Sequence, residues 1–99
     1  MLIFEVTATV EPELAASYEN YMTEQHIPEL LATGYFAAAF FARNGGQYRI
    51  GYHADTHELF DAYLANDAER LRADFVKHFP TGIAVSRRVL DIVGLFPAP

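Results

Sequence analysis

Period-two alternation opens the chain. Leu2, Phe4, Val6, Ala8 and Val10 alternate with Ile3, Glu5, Thr7 and Thr9, the mark of a strand with one strongly apolar face. Pro12 then starts a helix, flanked by Glu11 and Glu13 where the positive end of the helix dipole favours acids. Leu14, Tyr18, Tyr21 and Gln25 recur at helical spacing, with Met22 and His26 toward one edge of that stripe. The helix is expected to end near His26. Pro28 removes a backbone donor and pushes Ile27 out of the helical region, so a break at Ile27-Pro28 follows. A short turn then runs to Gly34, which suits a left-handed cap.

Tyr35 to Arg43 reads as a second strand, apolar on both faces, with Phe36 and Phe40 on one side and Tyr35 and Phe41 on the other. Asn44-Gly45-Gly46 is a hairpin signal, because tight hairpin turns need residues that accept positive φ. The third strand returns with Tyr48, Ile50, Tyr52 and Ala54 on one face and Arg49, Gly51 and His53 on the other. Thr56, or Asp55 beside it, caps the next helix. Within that helix the stripe Leu59, Phe60, Tyr63 and Leu64 is rotated from the stripe Leu71, Phe75 and Phe79, and Asn66-Asp67 marks a bend between them. Ile83 to Val93 is the fourth strand, and residues 94–99 form a short tail.

Strand, helix, strand, strand, helix, strand is the ferredoxin-like βαββαβ order. It predicts an α+β sandwich, one domain over residues 1–99, with a four-stranded antiparallel sheet and both helices on one face. Right-handed crossovers place the first and third strands in the middle. The other sheet face then has no cover from its own chain. Ile3, Glu5, Thr7 and Thr9 fall there with Arg49, His53 and either Arg87 or Arg88. Half apolar and half charged, this face predicts a homodimer whose two open faces pack together.

Composition sharpens that picture. With 52% hydrophobic residues, eight Phe and six Tyr among 99 residues, there is apolar surface to spare for a partner. No cysteine is present, which excludes disulfides, thiolate nucleophiles and sulfur-ligated metals. A net charge of −6 argues against nucleic acid and against an anionic membrane surface. The opening Met-Leu-Ile-Phe-Glu-Val lacks the basic start of a signal peptide, and no run is long enough to span a bilayer, so a cytoplasmic location is expected.

The block His26-Ile27-Pro28, followed by Ala32-Thr33-Gly34-Tyr35-Phe36 and later by Leu71-Arg72-Ala73-Asp74-Phe75, resembles an uncharacterised bacterial family of dimeric α/β-barrel proteins. The resemblance runs over nearly the whole chain and implies a ferredoxin-like protomer whose sheet pairs with a second copy to close a barrel. It implies no particular activity. The wider superfamily includes cofactor-free monooxygenases, polyketide cyclases, small isomerases and haem enzymes, and fold does not choose among them. In the cyclases a Tyr and a His on the second helix carry catalysis. Tyr63 falls at the first of those positions, and Glu69 stands at the second.

His26 is the leading candidate for chemistry, since an imidazole titrates near neutrality and works as acid or base with little tuning. A role as a plain helix-end residue competes with it. Tyr63 is the second catalytic candidate. Tyr18, Tyr21, Met22 and Tyr52 are placed with Tyr63 around a helix-side pocket for a small apolar ligand, with hydroxyls to orient an aromatic or keto group. His53, Asp55 and His57 stand at alternate positions that share one side of an extended chain, as metal ligands do, but the helix start at Thr56 swings His57 away, so neither a metal nor a cofactor is expected. Two classes remain. One is a cofactor-free enzyme performing proton transfer, cyclisation or oxygenation on an aromatic or polyketide-like metabolite. The other is a non-catalytic module that binds a hydrophobic ligand or only assembles.

Overall fold

A computed structural model describes residues 1–99. Four strands, β1 (Leu2–Val10), β2 (Ala38–Asn44), β3 (Gln47–Ala54) and β4 (Ile83–Asp91), form one antiparallel sheet in the order β2-β3-β1-β4. The first and third strands are central, as right-handed crossovers require. Register fixes which residues share a face: Phe4 lies opposite Tyr52 on one side and Val89 on the other, and Val6 opposite Ile50 and Arg87. Leu2, Phe4, Ala8, Val10, Tyr48, Ile50, Tyr52 and Ala54 are all buried under the helices. The fold is therefore the ferredoxin-like sandwich that the alternation predicts.

The first helical layer departs from expectation. A 3₁₀ turn (Pro12–Leu14) leads into α1 (Ala15–Tyr21), a π-helical turn (Met22–His26) and α2 (Ile27–Ala32) without interruption. His26 and Ile27 keep helical dihedrals, with φ/ψ of −68°/−52° and −63°/−47°. The helix does not break at Pro28. It widens just before the proline, so that Ile27 N–H donates to Met22 C=O. A wider turn absorbs a residue that has no N–H and would otherwise press its ring on the preceding turn. Gly34, with φ 83°, comes after the end of this layer.

The other layer is as expected: α3 (His57–Asn66) and α4 (Ala68–His78) are separated by a bend at Asp67. The Thr56 side chain accepts from Leu59 N–H and caps α3. A capping hydroxyl of this kind is worth ~1 kcal/mol.

β2 is shorter at its start than the apolar run suggested. Because residues 35–37 are not in the strand, strict alternation does not reach back to Phe36. Phe36 turns into the core beside Phe4, Tyr52 and Tyr63, while Phe40 lies on the open face. There its ring crosses Gly51, where a Cβ would come within 2.0 Å of the ring edge. Only glycine leaves room for that ring on the central strand. β4 stops at Asp91, and the tail beyond it exposes Val93, Leu95 and Phe96, the last 94% accessible.

The open face carries Glu5 opposite Arg88 and Gly51, and Thr7 opposite Arg49 and Ser86. Glu5 accepts from Arg88 Nε at 2.7 Å and lies 4.0 Å from Arg49 Nε. Thus Arg88 is the arginine on the open face, and Arg87, opposite Val6, lies on the helix-side face at an exposed position of β4.

Candidate functional site

The core under the helices is mostly aromatic. Phe4 sits at 5.1–5.9 Å from the rings of Tyr52, Phe60 and Tyr63, and Tyr18 at 5.0–6.2 Å from Phe41, Tyr48, Phe75 and Phe79. These rings do not close the interior completely. A cavity of about 30 Å³ remains between the sheet and the helices, room for one or two water molecules. Tyr18, Met22, His26, Tyr52 and Tyr63 all line it. Five of the six residues predicted for the pocket are thus brought to one place, and Tyr21 is the one outside its lining. Phe4, Val6, Leu30, Phe75 and Val85 complete the apolar lining, and Arg72 and Arg87 supply its charge.

His26 is held through a relay that starts in α4. Tyr21 Oη donates to Asp74 Oδ2 at 2.7 Å and lies 3.3 Å from His26 Nδ1. A phenol has one proton, and the short bond to a carboxylate takes it. Nδ1 must then be the donor to Tyr21, which leaves Nε2 as the unprotonated nitrogen of the ring. Gln25 Nε2 also donates to Asp74, at 3.2 Å, and fixes the carboxylate in place. Burial drives the His26 pKa down to about 4, with Arg87 adding to the fall and Asp74 opposing it. Hence the imidazole is neutral at physiological pH. Its Nε2 is then free to accept a hydrogen bond.

The tyrosines divide into two groups. Tyr21, Tyr35 and Tyr48 use their hydroxyls in side-chain hydrogen bonds. Tyr18, Tyr52 and Tyr63 form none, and burial raises the pKa of each above the usual phenol value. All three hydroxyls therefore keep their protons, and Tyr63 has the Arg72 and Arg87 charges close enough to oppose its shift.

Several predicted residues lie elsewhere. Glu69, at the position of the cyclase histidine, is exposed in the first turn of α4 and does not line the cavity. His57 pairs with Asp91 at 2.6 Å, while His53 lies 3.7 Å from Asp55. The alternating ligands are split, and no group of three or more His, Asp or Glu residues is arranged to hold a metal. Asp74, Arg72 and Arg87 are the residues the alternation did not single out for this site, while Tyr21, expected in the pocket wall, instead lies behind His26 with its hydroxyl on Asp74. For Arg87 a signal exists: Ile83, Val85 and Val89 are the inward positions of β4, and Arg87 shares their period.

Fold and cavity together define a ferredoxin-like domain with an open sheet face and a small helix-side chamber. The chain belongs to the family described as Domain of unknown function (DUF4286), which matches residues 1–93. Among solved structures, it is similar to an ethyl tert-butyl ether D family protein from Bacillus halodurans, with a TM-score of 0.73 and 13% identity over 94% of this chain and 100% of that one. A dimeric ferredoxin-like protein from an uncultured marine organism gives 0.69 and 11% over 99% and 100%. An antibiotic biosynthesis monooxygenase gives 0.66 and 15% over 95% and 100%. Likeness at these identities shows the fold. No curated protein matches the chain. No helix is long and apolar enough to cross a membrane.

Proposed function

We propose that this chain is a homodimeric, cofactor-free enzyme acting on a small apolar metabolite in the helix-side cavity, with His26 as general base and Tyr63 as hydrogen-bond donor. The observation that carries the reading is the Asp74–Tyr21–His26 relay, which ends on a neutral imidazole at an apolar cavity. A base held in one tautomer by a chain of hydrogen bonds is how enzymes orient a proton acceptor. Nε2 would take a proton from carbon beside a carbonyl. The unbonded Tyr63 hydroxyl would donate to the oxygen on which charge develops, as an oxyanion donor does. The enolate so formed is the common starting point for isomerisation, ring closure or reaction with oxygen. Tyr18, Met22 and Tyr52 would bound the apolar part of the ligand.

The dimer reading rests on the open face. Ile3, Phe40 and Leu90 share it with the Glu5–Arg88 pair, and the apolar tail lies beside Ile3 and Leu90. A second copy would cover Phe40, which is 47% accessible, and place the ion pairs at a symmetric seam.

One observation favours a second reading, a non-catalytic binding or assembly module: the cavity holds about 30 Å³, far below the ~300 Å³ of an ordinary ligand site. Screening aromatic and polyketide-like compounds by thermal shift separates the two. A ligand at a hundred times its Kd adds ~2.7 kcal/mol to stability. Turnover that falls roughly 10²–10⁴-fold in His26→Gln, with fold intact, supports the enzyme. Binding without turnover, unchanged in that variant, supports the module.

A further inference from the structure

The chain contains six arginines, and four of them are paired with carboxylates: Arg43 with Glu19, Arg49 and Arg88 with Glu5, and Arg70 with Asp67. Arg72 and Arg87 are not. Both line the cavity, one from α4 and one from β4, and no Asp or Glu lines it with them. Arg72 Nε is buried without any hydrogen-bond partner. Carboxylates are not scarce, since thirteen acids give the chain its net charge of −6. An unpaired guanidinium that is partly desolvated is costly, and two facing the same cavity are worse. The cost is visible at Arg87, whose pKa is lowered by burial and then by Arg72.

We propose that Arg72 and Arg87 form an anion subsite, and that the ligand of this cavity is an apolar molecule bearing a carboxylate. This rests on the reading of the cavity as a ligand site and names the class of ligand. Guanidinium groups present planar donor forks that match a carboxylate two bonds at a time. The apolar walls, among them Phe4, Val6, Leu30, Phe75 and Val85, suit a hydrocarbon or aromatic body and not a sugar or a nucleotide. Arginine side chains are also the longest and most mobile part of the wall, so their swing toward a bound carboxylate would enlarge the chamber. Neutralising Arg87 would remove one of the influences that depress His26, moving the imidazole toward the range in which a general base works best. The carboxylate would thus orient the ligand and prepare the base that acts on it.

Titration calorimetry with benzoate and phenylacetate, against benzamide and phenylacetamide, tests this at neutral pH and low salt. The acids are expected to bind the wild-type protein and the amides to bind at least roughly tenfold more weakly. Arg72→Gln and Arg87→Gln should each weaken the acids by roughly ten- to a hundredfold, whereas Arg70→Gln, on a surface pair with Asp67, should not. Without ligand, Arg72→Gln should melt higher than wild type, because it removes an unpaired charge from the cavity. Acids and amides of equal affinity, or acids held equally well by both arginine variants, overturn the anion subsite and leave the apolar cavity standing. Lower melting of Arg72→Gln with acid affinity retained makes Arg72 a structural residue and also overturns it. Binding of neither pair removes the ligand-site reading as well.

Discussion

Tyr21 Oη lies 3.3 Å from His26 Nδ1, five residues along the same helix. In a regular α-helix the near neighbours on one face are three and four residues apart. The π turn over Met22–His26 supplies the i to i+5 spacing instead. π turns of this kind occur often at functional sites. Here the turn sets the histidine onto a tyrosine whose own proton is committed to Asp74.

Replacing Tyr21 with Phe keeps the ring against Phe75, Phe79 and His78 but removes the acceptor for Nδ1. Stability is expected to fall by roughly 2–4 kcal/mol, because the bond to the Asp74 carboxylate is lost together with the one to Nδ1. Fold and dimer should survive. Any turnover should drop less than in His26→Gln, and its pH profile should shift, because the imidazole is freed to change tautomer. Circular dichroism, chemical denaturation and a pH–rate profile check these outcomes.

The depressed His26 pKa makes stability depend on pH in a stated direction. Folded His26 titrates at about 4 instead of 6.5, so between those values the unfolded chain binds a proton that the folded chain does not. Stability therefore rises with pH across that window. The neutral-histidine contribution is fully present above pH 6.5 and is lost as pH falls toward 4, up to ~3 kcal/mol in all. Urea unfolding of wild type and His26→Gln at matched pH values isolates it. The difference should shift against wild type on acidification, and a pH-independent difference would contradict a buried neutral imidazole.

For assembly, sedimentation equilibrium should show twice the 11.1 kDa chain mass at micromolar concentration. Phe40→Ser should yield folded monomer, because Phe40 packs over Gly51 on the open face and is not part of the buried core. Glu5→Lys sets a third cation beside Arg49 and Arg88 and should weaken the dimer more than Glu24→Lys, which lies on an exposed part of the first helical layer. Wild type sedimenting as a clean monomer would contradict the dimer.

Phe4→Ala should be among the most damaging core changes, at ~3–5 kcal/mol. Its ring touches Phe36, Tyr52, Phe60 and Tyr63 and is the floor of the cavity. Thermal and urea denaturation measure it, and a loss under ~1 kcal/mol would show that the neighbouring rings collapse into the space.

Strands, helix order and the open face were legible because alternation in β1 and β3 is nearly unbroken and Asn44-Gly45-Gly46 leaves little choice of turn. Tyr18, Met22, Tyr52 and Tyr63 were placed along the cavity by the same spacing, since a residue's face follows from it. What failed was local. Pro28 reads as a helix breaker because an α-helix cannot hold it cheaply, yet one widened turn was enough to keep the chain helical. That single turn decides what Tyr21 and His26 do, and periodicity of 3.6 cannot reveal it. Phe36 was assigned by alternation past the point where the strand ends. The pairing of Tyr21 with Asp74, 53 positions apart, depends on packing between α1 and α4, which carries no local mark in either segment. Arg87 and Arg88 differ only in register, and a slip of one residue exchanges them.

All of the proposed chemistry passes through the Nε2 lone pair of His26, so the most direct test is nitrogen NMR of the four histidines across an acid titration. The predicted result is a neutral His26 ring protonated on Nδ1 at neutral pH, titrating well below the usual imidazole value, with the Nδ1 tautomer lost in Tyr21→Phe. A His26 that is cationic at neutral pH, or protonated on Nε2, would contradict it and leave the cavity without a base.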